Sequence, residues 1–277
     1  MMPFGERLRV AVETHGRLCV GIDPHASLLA EWGLGDDPTG LEAFADTVIR
    51  AAAGSVAVVK PQVAFFERHG SRGIAVLERV IRRAREAGIL VIADAKRGDI
   101  GSTLAGYAEA WLDSSSPLAS DALTVSAYQG VGSLAPAVER AERHGAGLFV
   151  LSATSNPESA RVQTALGADG HTVAALIAHD VAALGAPAAG RGEWSSVGLV
   201  VGATVPLADV GLDPEALPAV PILAPGFGHQ GGRLSQLDAH YGPLAERTLA
   251  SVSRSVLAAG PDGLEAAIAQ HRAELAA

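Results

Sequence analysis

Residues 89–103, I-L-V-I-A-D-A-K-R-G-D-I-G-S-T, decide how this chain is read. Ile89 to Ala93 form an uninterrupted apolar run, and Asp94, Lys96 and Asp99 follow at once. A strand covered on both faces needs no polar alternation, so charges placed where it ends must be delivered to a place that stabilises charge. Before the run, Ile74, Leu77, Ile81 and Ala84 recur at helical spacing, with Arg79, Arg82, Arg83, Arg85 and Glu86 on the other face and Gly88 as the stop. The local pattern is therefore helix, buried strand, charged strand end.

The pattern repeats along the chain. Apolar runs fall at 18–22, 56–60, 89–93, 122–126, 148–152, 197–201, 222–224 and 248–252, and helical spacing returns at 172–184, 234–240 and 264–275. Strand then helix, eight times over, predicts a (β/α)8 TIM barrel, a single domain spanning 1–277. An open doubly wound sheet has the same alternation, and the eightfold count favours the barrel. The stretch 186–196 reads as a surface loop at the bottom of that barrel.

Composition narrows the partners. With 48% hydrophobic and 18% charged residues the chain supports a large core, and a net charge of −9 speaks against nucleic acid or an anionic membrane as partner. Cys19, the single cysteine, lies within L-C-V-G-I and reads as a small buried hydrophobe. No secretory pattern and no apolar window long enough to span a bilayer are seen, so a cytoplasmic protein is expected. His15, His69, His144, His171 and His179 lack metal-ligand spacing, and no metal site is expected.

In barrels the reacting groups project from the carboxyl ends of the strands. Collected there are Asp23, Lys60, Asp94 and Lys96 with Asp99 and Thr103 beyond, Ser155, Pro225 through Gln230, and Arg254. Of the 21 basic residues only Lys60 and Lys96 are lysines, and both stand where an apolar run stops. Alternating lysines and aspartates hold one another ionised, and a lysine can release a proton where an arginine cannot. A plain salt-bridge network is the alternative reading. The glycine-rich loop A-P-G-F-G-H-Q-G-G at 224–232, with Arg254 one strand later, suits a phosphate clamp, although such a loop alone also suits a surface turn. Whether His229 touches a ligand stays open. Ser126, Ser152 and Ser155 lack the G-x-S-x-G elbow of a serine hydrolase.

These residues resemble the orotidine 5′-phosphate decarboxylase family. D-A-K-R-G-D-I-G-S-T is similar to that family's D-x-K-x-x-D-I-x-x-T signature. Asp23, V-V-K-P-Q, T-S-N-P, P-G-F-G-H-Q-G-G and the strand-eight arginine follow in the family's order. The segment P-Q-V-A-F-F-E and the long loops after strands one and five look like its longer bacterial branch. The resemblance implies cofactor-free decarboxylation of orotidine 5′-phosphate to UMP in a homodimer of barrels. It implies a charged tetrad of Lys60, Asp94, Lys96 and the neighbouring copy's Asp99, with Lys96 as proton donor. Asp23 and Thr103 would hold ribose hydroxyls, Ser155 the pyrimidine edge, Gln230 base and phosphate together, and Arg254 the phosphate, with Pro225 lining the same mouth. Sister sugar-phosphate lyases share D-x-K-x-x-D but use Mg²⁺ with an acidic residue at strand two, where this chain has Lys60. A barrel that binds UMP without turnover is the non-enzymatic alternative.

Overall fold

The computed structural model describes residues 2–276. Eight strands, β1 Leu18–Ile22, β2 Val58–Pro61, β3 Leu90–Arg97, β4 Ala122–Val125, β5 Gly147–Ala153, β6 Val197–Val201, β7 Ile222–Pro225 and β8 Thr248–Val252, close into one barrel in sequence order. Every neighbouring pair is parallel, and β1 closes on β8 with Leu18 opposite Ala250. β1, β2, β4, β6 and β8 are buried along their whole length, which is why their sequences are mostly apolar without a regular polar alternation.

Helices Pro38–Ala52, Gly70–Glu86, Gly101–Leu112, Ala135–His144, Val173–Ala189 and Gly260–Ala276 cover the outside. Gly70–Glu86 buries Gly73, Val76, Leu77, Val80, Ile81 and Ala84, while Arg79 and Arg83 bridge to Glu42 and Asp46 on Pro38–Ala52. Two expectations need correcting. After β6 the crossover holds no α-helix, only the 3-10 turns Leu207–Val210 and Pro214–Ala216, because Pro206, Gly211 and Pro214 interrupt any longer run. The stretch 186–196 is not all loop. Its first four residues finish the helix Val173–Ala189, with Pro187 inside it.

The sequence reading passed over the helix Phe4–His15, which seals the bottom of the barrel. Phe4, Leu8 and Val12 pack on one side chain from each strand: Cys19, Val58, Ile92, Ala122, Phe149, Val200, Leu223 and Leu249. Phe4 meets Phe149 edge to face at 6.1 Å between ring centroids. Gly5 is required by this closure, since a Cβ there would lie 2.0 Å from the Trp194 carbonyl oxygen. Burial in this layer pushes the Cys19 thiol up to about 12, in keeping with a packing role.

Candidate active site

Strand side chains alternate with period two, so the next inward positions above the apolar layer lie two residues further along each strand. They are Gly21, Lys60, Asp94, Thr124, Leu151, Gly202, Pro225 and Ser251. One step along the same strands takes the interior from hydrocarbon to charge. Six of the eight line a cavity of about 370 Å³ at the carboxyl ends of the strands, together with Asp23, His25, Gln62, Lys96, Ser155 and the residues of the glycine loop.

Asp94 is the hub. Lys60 Nζ donates to its Oδ2 at 2.9 Å, Lys96 Nζ to its Oδ1 at 2.5 Å, and the Thr124 hydroxyl to the same Oδ1 at 2.9 Å. Burial alone would push the Asp94 carboxyl up, but the two ammonium groups and their hydrogen bonds outweigh it and hold the acid well below the usual carboxylate range. Burial alone would likewise push Lys60 down, and the Asp94 and Asp23 carboxylates override it and hold the ammonium above its ordinary value. The two lysines differ in access. The side chain of Lys60 is 8% exposed and that of Lys96 45%, so Lys60 fixes the field while Lys96 faces the open cavity.

The rest of the mouth is polar and partly unpaired. Asp23 Oδ1 and Ser253 Oγ are buried with no hydrogen-bond partner among the described residues, and both residues line the cavity. Groups in that state suit a polyol ligand that supplies the missing partners. Ser155 donates to Gln230 Oε1 at 3.0 Å, joining the loop after β5 to the loop after β7. The glycine loop turns through Gly226, Gly228 and Gly231, all at positive φ. Arg254 Nη1 lies 2.7 Å from His229 Nε2. His229 is thus no isolated member of the loop. His25, packed edge-on against Phe65 with centroids 4.3 Å apart, is held below its ordinary value, chiefly by burial.

The structure brings Asp23, Lys60, Asp94, Lys96, Ser155, Pro225, Gln230 and Arg254 into one cavity. Asp99 and Thr103 are not in its lining. Asp99 accepts a hydrogen bond from the Ile100 backbone N–H, and Thr103 is exposed on the first turn of Gly101–Leu112. The sequence reading missed Thr124, His25 and Gln62. Thr124 is the last inward-facing residue of β4, and the period-two alternation carried to the end of that strand singles it out.

Comparison with known proteins gives a consistent result. Residues 16–269 match the family model described as Orotidine 5'-phosphate decarboxylase / HUMPS family. The orotidine 5′-phosphate decarboxylase of Streptomyces coelicolor is 55% identical over 266 residues, covering 95% of this chain and 92% of that protein. The enzyme of the same name from Salinispora tropica is 56% identical over 264 residues, covering 95% and 92%. A crystal structure from Streptomyces avermitilis, provisionally assigned to the same activity, superposes with a TM-score of 0.92 at 52% identity, covering 100% of this chain and 95% of that one.

Proposed function

The chain belongs to the orotidine 5′-phosphate decarboxylase / HUMPS family, and from that premise we propose how its residues carry out the reaction. It is a carboxy-lyase that converts orotidine 5′-phosphate to UMP and CO₂ in pyrimidine biosynthesis. The observation that carries the residue assignment is Asp94 held between two lysines, one buried and one facing the cavity.

As the bond from C6 to the carboxylate breaks, its electron pair stays on C6 and CO₂ leaves. The ring offers that pair no delocalisation, so the site must stabilise it and supply a proton. Lys96 does both: its ammonium faces the developing charge and transfers a proton to C6, and the neutral amine regains one from solvent. Lys60 and Asp94 keep this field fixed before substrate arrives. Arg254, Gln230 and the glycine loop take the phosphate, while Asp23 takes a ribose hydroxyl and Ser155 the pyrimidine edge. Remote binding energy then serves to orient the reacting ring. Two ammonium groups on one carboxylate oppose a divalent cation there, which sets this donor set apart from the Mg²⁺-dependent sister lyases.

A homodimer completes the site, with Asp99 and Thr103 entering the neighbouring copy's cavity. Their position outside their own cavity supports this, as do the neighbouring exposed apolar side chains Ile100, 60% exposed, and Tyr128, 89% exposed. The enzyme works in the cytoplasm on a small anionic substrate, without nucleic acid or membrane. Among the described residues no helix is long and apolar enough to cross a bilayer. Mixing Lys96→Ala chains with Asp99→Ala chains tests the shared tetrad. Each variant alone is inactive, and an equal, re-equilibrated mixture regains about a quarter of wild-type activity, since half the dimers then hold one intact site. A mixture as inactive as its parents would count against a shared site.

A further inference from the structure

We propose that Thr124 is a positioning residue for the decarboxylation, holding the Asp94 carboxylate and the Lys96 backbone in the arrangement from which Lys96 delivers its proton. The inference rests on the reading of Lys96 as donor and goes beyond it by naming what places the donor.

The register of β3 against β4 shifts at the charged end of β3. Ala93 pairs with Leu123, and the next pair is Arg97 with Val125. Three residues of β3, namely Asp94, Ala95 and Lys96, therefore stand opposite the single residue Thr124. Such a bulge leaves backbone groups without ladder partners and re-aims side chains. Here it falls on the two residues that carry the charge. Lys96 is the only non-glycine residue at positive φ among those described, at 49°. An L-residue keeps that conformation only when its surroundings enforce it.

Thr124 supplies the enforcement. Its side chain is enclosed, with the residue 1% exposed, and its hydroxyl oxygen accepts the orphaned Lys96 N–H at 3.0 Å. The single hydroxyl proton has two acceptors in reach, Asp94 Oδ1 at 2.9 Å and the Ala93 carbonyl at 3.5 Å. The nearer acceptor is ionised and takes it. One hydroxyl thus ties the donor's backbone to the counter-ion of the donor's ammonium. The phosphate clamp and the ribose contact lie on other strands, so Thr124 bears on the chemical step and not on substrate capture.

Thr124→Val keeps the shape and removes the hydroxyl. It is expected to lower kcat roughly 10- to 100-fold, the range for losing a hydrogen bond to a charged group. KM for orotidine 5′-phosphate stays within about threefold, and Thr124→Ser restores kcat to within about threefold of wild type. Should the valine variant fail to fold, Thr124→Ala against Thr124→Ser makes the same comparison, since those two differ only in the hydroxyl. Wild-type kcat without the hydroxyl, a change confined to KM, or a loss that serine does not restore would each overturn the proposal. Lys96→Ala in the same assay separates the two levels. If Lys96→Ala is inactive while Thr124→Val keeps wild-type kcat, only the role of Thr124 falls; if Lys96→Ala turns over normally, the donor assignment falls first.

Discussion

Two layers of the barrel interior, two residues apart on the same strands, are built to opposite rules. The lower layer, Cys19, Val58, Ile92, Ala122, Phe149, Val200, Leu223 and Leu249, is hydrocarbon closed from below by Phe4, Leu8 and Val12. The upper layer places Lys60, Asp94, Thr124 and Ser251 on those strands, and each of these is at least nine-tenths buried. Below, every side chain is satisfied by packing alone. Above, Lys60, Asp94 and Lys96 satisfy one another, while Asp23 and Ser253 keep polar atoms with no partner among the described residues. On the proposed function the lower layer carries stability and the upper layer chemistry, so perturbing each should move a different observable.

The largest effect on stability is expected below. Phe4 is fully buried, and Phe4→Ala should cost about 3–5 kcal/mol of unfolding free energy through lost contacts and the cavity left behind. Because the cavity of the upper layer is untouched, kcat per folded molecule should stay at the wild-type value. Denaturant unfolding paired with activity per folded fraction reads both. A fall in kcat that exceeds the loss of folded protein would show the two layers to be coupled.

The smaller effect is a pH signature that belongs to the upper layer alone. Asp94 is held below its ordinary value of 3.8, so the stability it contributes is complete above that pH and is lost as pH falls through its folded value. Lys60 is held above its ordinary 10.5, so its contribution is complete below that pH and is lost as pH rises through its folded value. The difference in unfolding free energy between wild type and Asp94→Asn should therefore be flat from about pH 5 to about pH 9 and narrow below 3.8. The corresponding difference for Phe4→Ala should show no such narrowing. If the Asp94→Asn difference already shrinks near neutral pH, Asp94 is not held ionised by the lysines.

The sequence made the upper layer legible wherever a charge closed an apolar run. Asp23, Lys60, Asp94 and Arg254 stand out because a charge after buried strand residues must either pair with other charges or meet a ligand. Thr124 did not stand out, since a β-branched residue at the end of A-L-T-V reads as one more strand residue, and its role depends on a bulge in the neighbouring strand. The N-terminal closure was hidden for a different reason. Phe4, Leu8 and Val12 are separated by Arg7, Arg9 and Glu6, so the helix reads as surface until the barrel bottom it closes is known. The missing helix after β6 was masked by counting strands, because eight strands suggest eight helices whatever the prolines between them say.

The central claim is that Lys96, held by Asp94, is the group that stabilises and protonates C6. The direct measurement is CO₂ release from orotidine 5′-phosphate by purified Lys96→Ala, with thermal unfolding recorded on the same sample. Lys96 has a half-open side chain, and Asp94 keeps Lys60 as partner when it is removed, so the fold should persist. The account predicts a folded protein whose turnover is lower by roughly a thousandfold or more. Near wild-type CO₂ release by folded Lys96→Ala would contradict it.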